Sequence, residues 1–190
     1  SLSSASTIAQ KSNSKVESPA IFWMQGEFNY REIFDDLTPL WNKSTSDKDA
    51  YLNLFITLKN NMQNDIVKQY GQEKKPVIIT YQPASLENGD KTSIGNGLVE
   101  ASNTYTDIIN AGPTYQMPRR GLHMDANGYR WFGEMLGKVY YKTQILKEDF
   151  KPLQPKKIYR ISSNVIGIEF LVPKGDLVFD TDIVPEATNY

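Results

Sequence analysis

The feature that most limits what this chain can fold into is an alternation of short apolar runs with long amphipathic stretches. Ala20-Ile21-Phe22-Trp23-Met24 is a continuous apolar run, with Pro19 before it and Gln25-Gly26 after it. A run of that length and bounding reads as a strand buried on both faces. From Asp47 to Tyr70 the period changes. Tyr51, Leu54, Phe55, Leu58, Met62, Ile66 and Tyr70 recur at spacings of three or four, which predicts a helix with these residues as its apolar face. Ser46 or Asp47 suits its N-cap, and Gly71 its left-handed end. Pro76 to Tyr81 reads as a second buried strand, Ser93 to Thr104 as a weaker helix, and Tyr105 to Ala111 as a short third strand. After His123, the residues Tyr129, Phe132, Met135, Leu136, Val139 and Tyr140 define one face of a strong helix, with Asp125 or Asn127 at its start.

Strands alternating with helices predict an α/β layered fold with a mainly parallel sheet. In such sheets ligands bind beyond the carboxyl ends of the strands. Gln25 to Glu27 and the loop holding His123 both fall there.

Two flanking segments differ in character. Residues 1–18 are rich in serine and lysine, show neither period, and read as a loop. Beyond Lys151-Pro152-Leu153-Gln154-Pro155 the sequence becomes alternating and β-branched over Lys157–Ser162, Val165–Val172 and Leu177–Asp180. Asn164 and Lys174-Gly175-Asp176 are turn signals. The expected division is an α/β domain over residues 1–150 and the beginning of a β-sandwich-like appendage over residues 151–190.

Composition removes several functions. The 190 residues carry 21 basic and 22 acidic side chains, a formal net charge of −1, so there is no electrostatic footprint for nucleic acid or an anionic membrane surface. No apolar run approaches the roughly 18 residues of a membrane span. Cysteine is absent and histidine occurs once, at position 123. That removes disulfide frameworks and cysteine nucleophiles, and a zinc centre, which takes about three or four ligands, finds no second imidazole. No metal site and no cofactor is expected.

Two constellations can carry chemistry. In Trp23-Met24-Gln25-Gly26-Glu27, a primary amide beside a glycine at a strand end can aim an N–H at an oxygen that becomes negative during acyl transfer. The plainer alternative is a strand end whose Gln and Glu cap nearby backbone. His123, in a loop ahead of a helix, can act as a general base toward a hydroxyl, or it can be a hydrogen-bonded loop residue. Arg119-Arg120 can meet a carboxylate in a bidentate fashion, or can be a solvated loop. Trp41, Tyr105 and Tyr115 are aromatics that could stack on sugar rings or simply pack.

Taken together, these blocks resemble the SGNH-hydrolase superfamily, and within it the sialate O-acetylesterase-like carbohydrate esterases, including esterase domains of bacteriophage tail spikes. Trp23 to Glu27 followed by Tyr30 resembles that group's W-x-Q-G-E-S-x-Y block, with Phe28 where serine is usual. Gly121-Leu122-His123, Gly128-Tyr129-Arg130, Gly133-Glu134 and Gly137-Lys138 resemble its terminal histidine block and helix. The likeness spans Pro19 to about Leu146.

The resemblance implies a three-layer, flavodoxin-like parallel sheet flanked by helices, and a serine-type deacetylation of a surface glycan by two-step acyl transfer. It implies His123 as general base, Gln25 as oxyanion donor and Glu27 as organiser of the site; Gly26 and Arg120 are expected as substrate contacts from their own chemistry. It also implies an acetylated carbohydrate or polysaccharide as partner and an extracellular or virion-associated location. A non-catalytic glycan-binding or structural module of a phage tail or cell-surface assembly is the alternative on the same scaffold.

The departures are specific. The family's glycine-serine nucleophile block, G-D-S or G-Q-S, does not occur, and from Ser1-Leu2-Ser3 to Trp23 there is too little chain for the strand and helix that should intervene. Residues 1–190 are therefore expected to be an incomplete chain, inactive alone, with the serine block supplied by upstream sequence or a complementing chain; a homo-oligomer is the other expected assembly. Arg120 stands where the family's D-x-x-H acid would be, and an arginine cannot orient or neutralise an imidazolium. Loss of the orienting acid costs about 10⁴ in rate in serine proteases.

Overall fold

The computed structural model describes residues 1–30, 45–83, 93–120 and 123–178, without the side chain of Tyr30. Its centre is a parallel sheet of β1 (Ala20–Phe22), β2 (Val77–Gln82) and β3 (Ile108–Pro113), in the order β1-β2-β3. Ile21 lies beside Ile78, and Ile78 beside Ile108. The crossovers carry helices α2 (Lys48–Tyr70) and α3 (Ser93–Thr104). Two crossovers that step the same way across a sheet and share one hand must put their helices on the same face. Accordingly, Tyr51 and Phe55 of α2 and Ile94, Leu98 and Ala101 of α3 pack with Ile78 and Ile108 in one apolar cluster.

The opposite face is covered by α4 (Ala126–Tyr140), where Val139 packs with Ile79 and Ala111. Phe132 of α4 meets Tyr81 edge-on, ring centroids 4.9 Å apart. The result is helix, sheet and helix in three layers, an α/β arrangement. The caps follow the sequence reading: Asp47 Oδ1 accepts from the Ala50 N–H at 2.7 Å, Gly71 ends α2 at φ 67°, and Asp125 Oδ1 accepts from the Gly128 N–H at 2.8 Å.

Several expectations are corrected. Residues 1–18 are not all loop, because α1 spans Leu2–Lys11, started by Ser1, whose Oγ accepts from the Ser4 N–H at 3.3 Å. No residue of α1 is buried, and a helix that buries nothing needs no apolar period. β1 is an edge of this sheet, so the run expected to be buried on both faces leaves Phe22 and Met24 nearly half exposed. β2 is the strand that meets that description. β3 begins at Ile108, later than expected, after a tight turn in which the Ile108 N–H reaches the Tyr105 carbonyl at 3.3 Å. In α4, Tyr129 is exposed rather than part of the packed face.

The buried stripe of α2 is Tyr51, Phe55, Lys59, Gln63 and Ile66, while Leu54 is 66% exposed. The stripe keeps helical spacing but faces polar groups at the amino end of the sheet. Lys59 Nζ lies 2.5 Å from Asp107 Oδ2. Gln63 Nε2 donates to the Pro76 carbonyl at 2.8 Å and to Asp107 Oδ2 at 3.0 Å. Apolar side chains there would strand those acceptors.

Beyond α4 the chain forms an antiparallel hairpin, β6 (Gln154–Ser162) and β7 (Val165–Leu171), with Ile158 opposite Ile168 and Lys157 opposite Glu169. The ring of Tyr159 lies over Gly167, within 2.7 Å of where a Cβ would stand. The hairpin is tied to the end of α3: Lys151 Nζ donates to the Ser102 carbonyl and to Asn103 Oδ1, both at 2.7 Å, and Asn103 Nδ2 donates to Gln154 Oε1 at 3.0 Å. Leu177 and Val178, expected to begin another strand, are not in one, and residues 179–190 lie outside the described residues.

Candidate functional site

The three parallel strands deliver their carboxyl ends to one edge. Gln25, Gly26 and Glu27 follow β1, Pro83 follows β2 and Thr114 follows β3. The β1 and β2 ends converge at Gly26. Its φ is +141°, and a Cβ there would sit 3.0 Å from Pro83 Cγ and 3.3 Å from Ile94 Cγ2. Both the backbone angle and the space demand glycine.

Gln25 and Glu27 are each held by a tyrosine from another element. The Tyr51 hydroxyl, from the start of α2, donates to Gln25 Oε1 at 2.9 Å, and Gln25 Nε2 donates to Asn29 Oδ1 at 2.6 Å. The Tyr81 hydroxyl, at the end of β2, donates to Glu27 Oε1 at 2.6 Å. Burial pushes the Tyr51 phenol up to about 12, a hydrogen bond from Trp23 works downward, and the Glu27 charge adds to the rise. Tyr81 is driven up further, first by burial and then by the charge and hydrogen bond of Glu27, against a smaller opposing effect of Arg119. Both phenols therefore stay neutral and serve as donors.

His123 reaches the same edge by a separate route. The chain leaving β3 is anchored by the Thr114 N–H on the Gln82 carbonyl at 3.2 Å. It then forms a two-residue ladder, β4 (Arg119–Arg120) with β5 (His123–Met124), in which Arg120 lies opposite His123 and Arg119 opposite Met124. Met124 is buried against Tyr81, Met117 and Phe132. His123, its neighbour in the strand, faces outward and is exposed. Arg119 turns inward, donating from Nη2 to Thr114 Oγ1 at 2.8 Å.

Gln25 and Gly26 are thus tied to each other through Asn29, Glu27 in the same turn is tied to Tyr81, and His123 pairs with Arg120 in the ladder. Tyr81 stands between the two groups, turn and ladder, bonding Glu27 with its hydroxyl and sharing an apolar cluster with Met124, while the hollow at His123 is lined by none of Gln25, Gly26 and Glu27. Among the described residues no hydrogen bond or ion pair passes directly between the two groups. A shallow hollow of about 520 Å³ is lined by Arg120, His123, Met124, Asp125, Ala126 and Asn127. A larger one, about 700 Å³, lies at the opposite end of the sheet between α1 and the turn after α2. Hollow size alone does not select the site. The required glycine and the tyrosine-held polar groups do.

Of the aromatic candidates, Tyr105 lies at the amino end of β3 with its ring centroid 5.6 Å from Lys59 Nζ, remote from Gln25. Tyr115 is at the carboxyl edge and 68% exposed. Trp41, Gly121 and Leu122 lie outside the described residues. Sequence reasoning assigned Tyr51 and Tyr81 to packing and passed over Asn29. A tyrosine at a strand end or in a helix's first turn, with a polar tip to satisfy, was the available signal.

Among the described residues no cluster of three His, Cys, Asp or Glu could hold a metal ion, and no helix is long and apolar enough to cross a membrane. In comparisons with family models, curated proteins and solved structures, nothing matches this chain.

Proposed function

We propose that this chain is the α/β portion of an SGNH-type carbohydrate O-acetylesterase acting on an acetylated surface glycan in an extracellular or virion setting. The observation that carries the reading is the shared edge: Tyr81 bonds Glu27 of the turn and belongs to the apolar cluster that buries Met124, the neighbour of His123 in the ladder. Such an edge is where α/β sheets bind ligands.

In the proposed reaction a serine oxygen attacks the acetyl carbonyl carbon while His123 takes the serine proton. The carbonyl oxygen gains negative charge and is met by an N–H of Gln25. The bond to the sugar oxygen then breaks, His123 returns the proton to that oxygen, and an acetyl-serine remains. Water, deprotonated by His123, then attacks the acetyl carbon, the bond to the serine oxygen breaks, and His123 returns the proton to that oxygen, releasing acetate and restoring serine. Glu27 holds the turn through Tyr81 and Arg120 meets an acidic sugar, whereas Gly26, expected to contact substrate, is buried and packs against Pro83 and Ile94, so its part is to let the turn close. Residues 1–190 contain no glycine-serine block, so the nucleophile comes from other sequence or another chain.

The test is acetate release from an O-acetylated glycan and from p-nitrophenyl acetate by a polypeptide containing both this chain and a glycine-serine block. His123→Ala is expected to lower turnover by about 10³-fold or more. Unchanged turnover in a stably folded variant removes His123 from the mechanism. Residues 1–190 alone should form no adduct with a fluorophosphonate probe.

One observation favours a second reading, a glycan-binding module without chemistry. His123 faces an arginine across the ladder, and no carboxylate hydrogen-bonds to it among the described residues. Retention of the glycan with no acetate release from the complete polypeptide selects that reading.

A further inference from the structure

The side chains around Gln25 form a directed chain of hydrogen bonds whose sense is fixed from its far end. Asn29 lies 2.9 Å from the Thr45 carbonyl oxygen. A carbonyl only accepts, so Asn29 must present nitrogen there and its Oδ1 to Gln25. Gln25 must then present its nitrogen to Asn29 and its oxygen to Tyr51, and Tyr51 must donate. The other end agrees: the indole N–H of Trp23, which only donates, approaches the Tyr51 oxygen at 3.5 Å. Reversing the Gln25 amide would set oxygen against oxygen at Asn29, or at Thr45 if Asn29 turned with it. Asn29 is itself buried, and its backbone N–H is tied to the Gly26 carbonyl at 3.1 Å. The chain therefore joins the turn after β1 to the first residues of α2.

We infer that Tyr51 and Asn29 are positioning residues that lock the amide of Gln25 in one orientation, with one Nε2 proton on Asn29 and the other left for a ligand oxygen. The ligand atom at that nitrogen is an acceptor: a carbonyl, an ester oxygen or an oxyanion. This rests on the acyl-transfer reading for the identity of the ligand but not for the orientation of the amide. Tyr51 acts through Gln25 and touches no reacting atom.

The experiment is side-chain amide NMR of the 190-residue chain, with the Gln25 pair assigned by its loss in Gln25→Glu. In the wild-type chain the two Nε2 protons should differ widely in shift, and the one bonded to Asn29 should exchange slowly with water. Tyr51→Phe should shrink that difference and speed the exchange about five- to tenfold, as expected for one lost hydrogen bond. The amides of Gln63 and Gln72, which have their own partners, should not change. Asn29→Ala removes the acceptor for Gln25 but leaves the Tyr51 bond, so it should speed exchange of the first Nε2 proton while the Gln63 and Gln72 amides stay unchanged, a selectivity that general loosening of the fold would not produce. Acetate should move the second Nε2 proton in the wild-type chain and move it less in Tyr51→Phe.

An unaltered Gln25 pair in Tyr51→Phe overturns the positioning role, and failure of acetate to move the second proton overturns the assignment of an acceptor ligand. Because the amide pattern is read without turnover, an inactive enzyme with the expected Gln25 signals would sink the esterase reading and leave this one standing.

Discussion

Removing the more exposed partner of the Lys59–Asp107 pair should cost more stability than removing the buried one. The Lys59 side chain is 6% exposed and that of Asp107 is 34% exposed, with their charged atoms 2.5 Å apart. Asp107→Ala leaves an ammonium deep under α2 with only the edge of water and the Tyr105 ring nearby, and an uncompensated buried charge costs about 3 kcal/mol or more. Lys59→Met removes that charge and fills similar space. Asp107 then keeps the Gln63 N–H at 3.0 Å and partial access to water, so the loss should be about 1 kcal/mol. The double variant should resemble Lys59→Met and be about 2 kcal/mol more stable than Asp107→Ala. For a chain of this length the Asp107→Ala deficit corresponds to about 6–12 °C in Tm. Urea unfolding followed by tryptophan fluorescence measures all three, with unchanged m reporting an unchanged denatured state. The pair also has an acid signature. Burial raises the Asp107 carboxyl, but hydrogen bonds from Lys59 and Gln63 and the Lys59 charge outweigh it and hold it below its ordinary value. A depressed carboxyl stabilises fully above the unfolded value, about 3.9, and the contribution drains away as pH falls through the folded one. The gap between wild type and Asp107→Ala should therefore be constant near neutrality and narrow below about pH 4. If Lys59→Met proves as damaging as Asp107→Ala, the assignment of the buried charge as the dominant cost is wrong.

The glycines of α4 should respond oppositely to alanine. At Gly128 a Cβ would stand 2.1 Å from the Pro118 carbonyl oxygen, so Gly128→Ala should destabilise by about 2 kcal/mol or more in the same urea assay. Gly133 and Gly137 have nothing within 4 Å, so alanine there should stabilise by about 0.5–1 kcal/mol each. On the alkaline side, the Tyr51 phenol is neutral in the fold up to about 12, against about 10 in an unfolded chain. Its contribution is whole below about pH 10 and lost as pH rises toward the folded value. Absorbance titration at alkaline pH should show Tyr51 and Tyr81 ionising only as the chain unfolds, and early ionisation of every tyrosine would contradict their burial.

The alternation of periods made the three layers legible, because a strand buried under helices on both sides is mostly apolar, as Val77, Ile78 and Ile79 of β2 are. What escaped was polar burial. Hydropathy assigns Leu54 and Leu58 to the core and Lys59 and Gln63 to water, yet Lys59 meets a carboxylate 48 positions further along the chain. Only folding supplies that partner. The candidate site divides the same way. Gln25, Gly26 and His123 stood out through local pattern, whereas Tyr81 is matched to Glu27 across 54 positions, and a tyrosine in an apolar strand gives no local hint of what its hydroxyl will meet. α1 was missed for the reverse reason, since its signals are capping and propensity alone.

The hairpin of β6 and β7 is fastened at its base by Lys151, Asn103 and Gln154, and further along Ile158, Ile161 and Ile166 are 63%, 62% and 65% exposed. Its apolar side chains are already largely wet, so separating the two strands uncovers little new surface. Heat-capacity change and denaturant sensitivity both scale with newly uncovered surface. Amide exchange in the hairpin should therefore proceed through small fluctuations that urea scarcely accelerates. The amides of β2, sealed between two layers, should exchange only when the whole sheet comes apart.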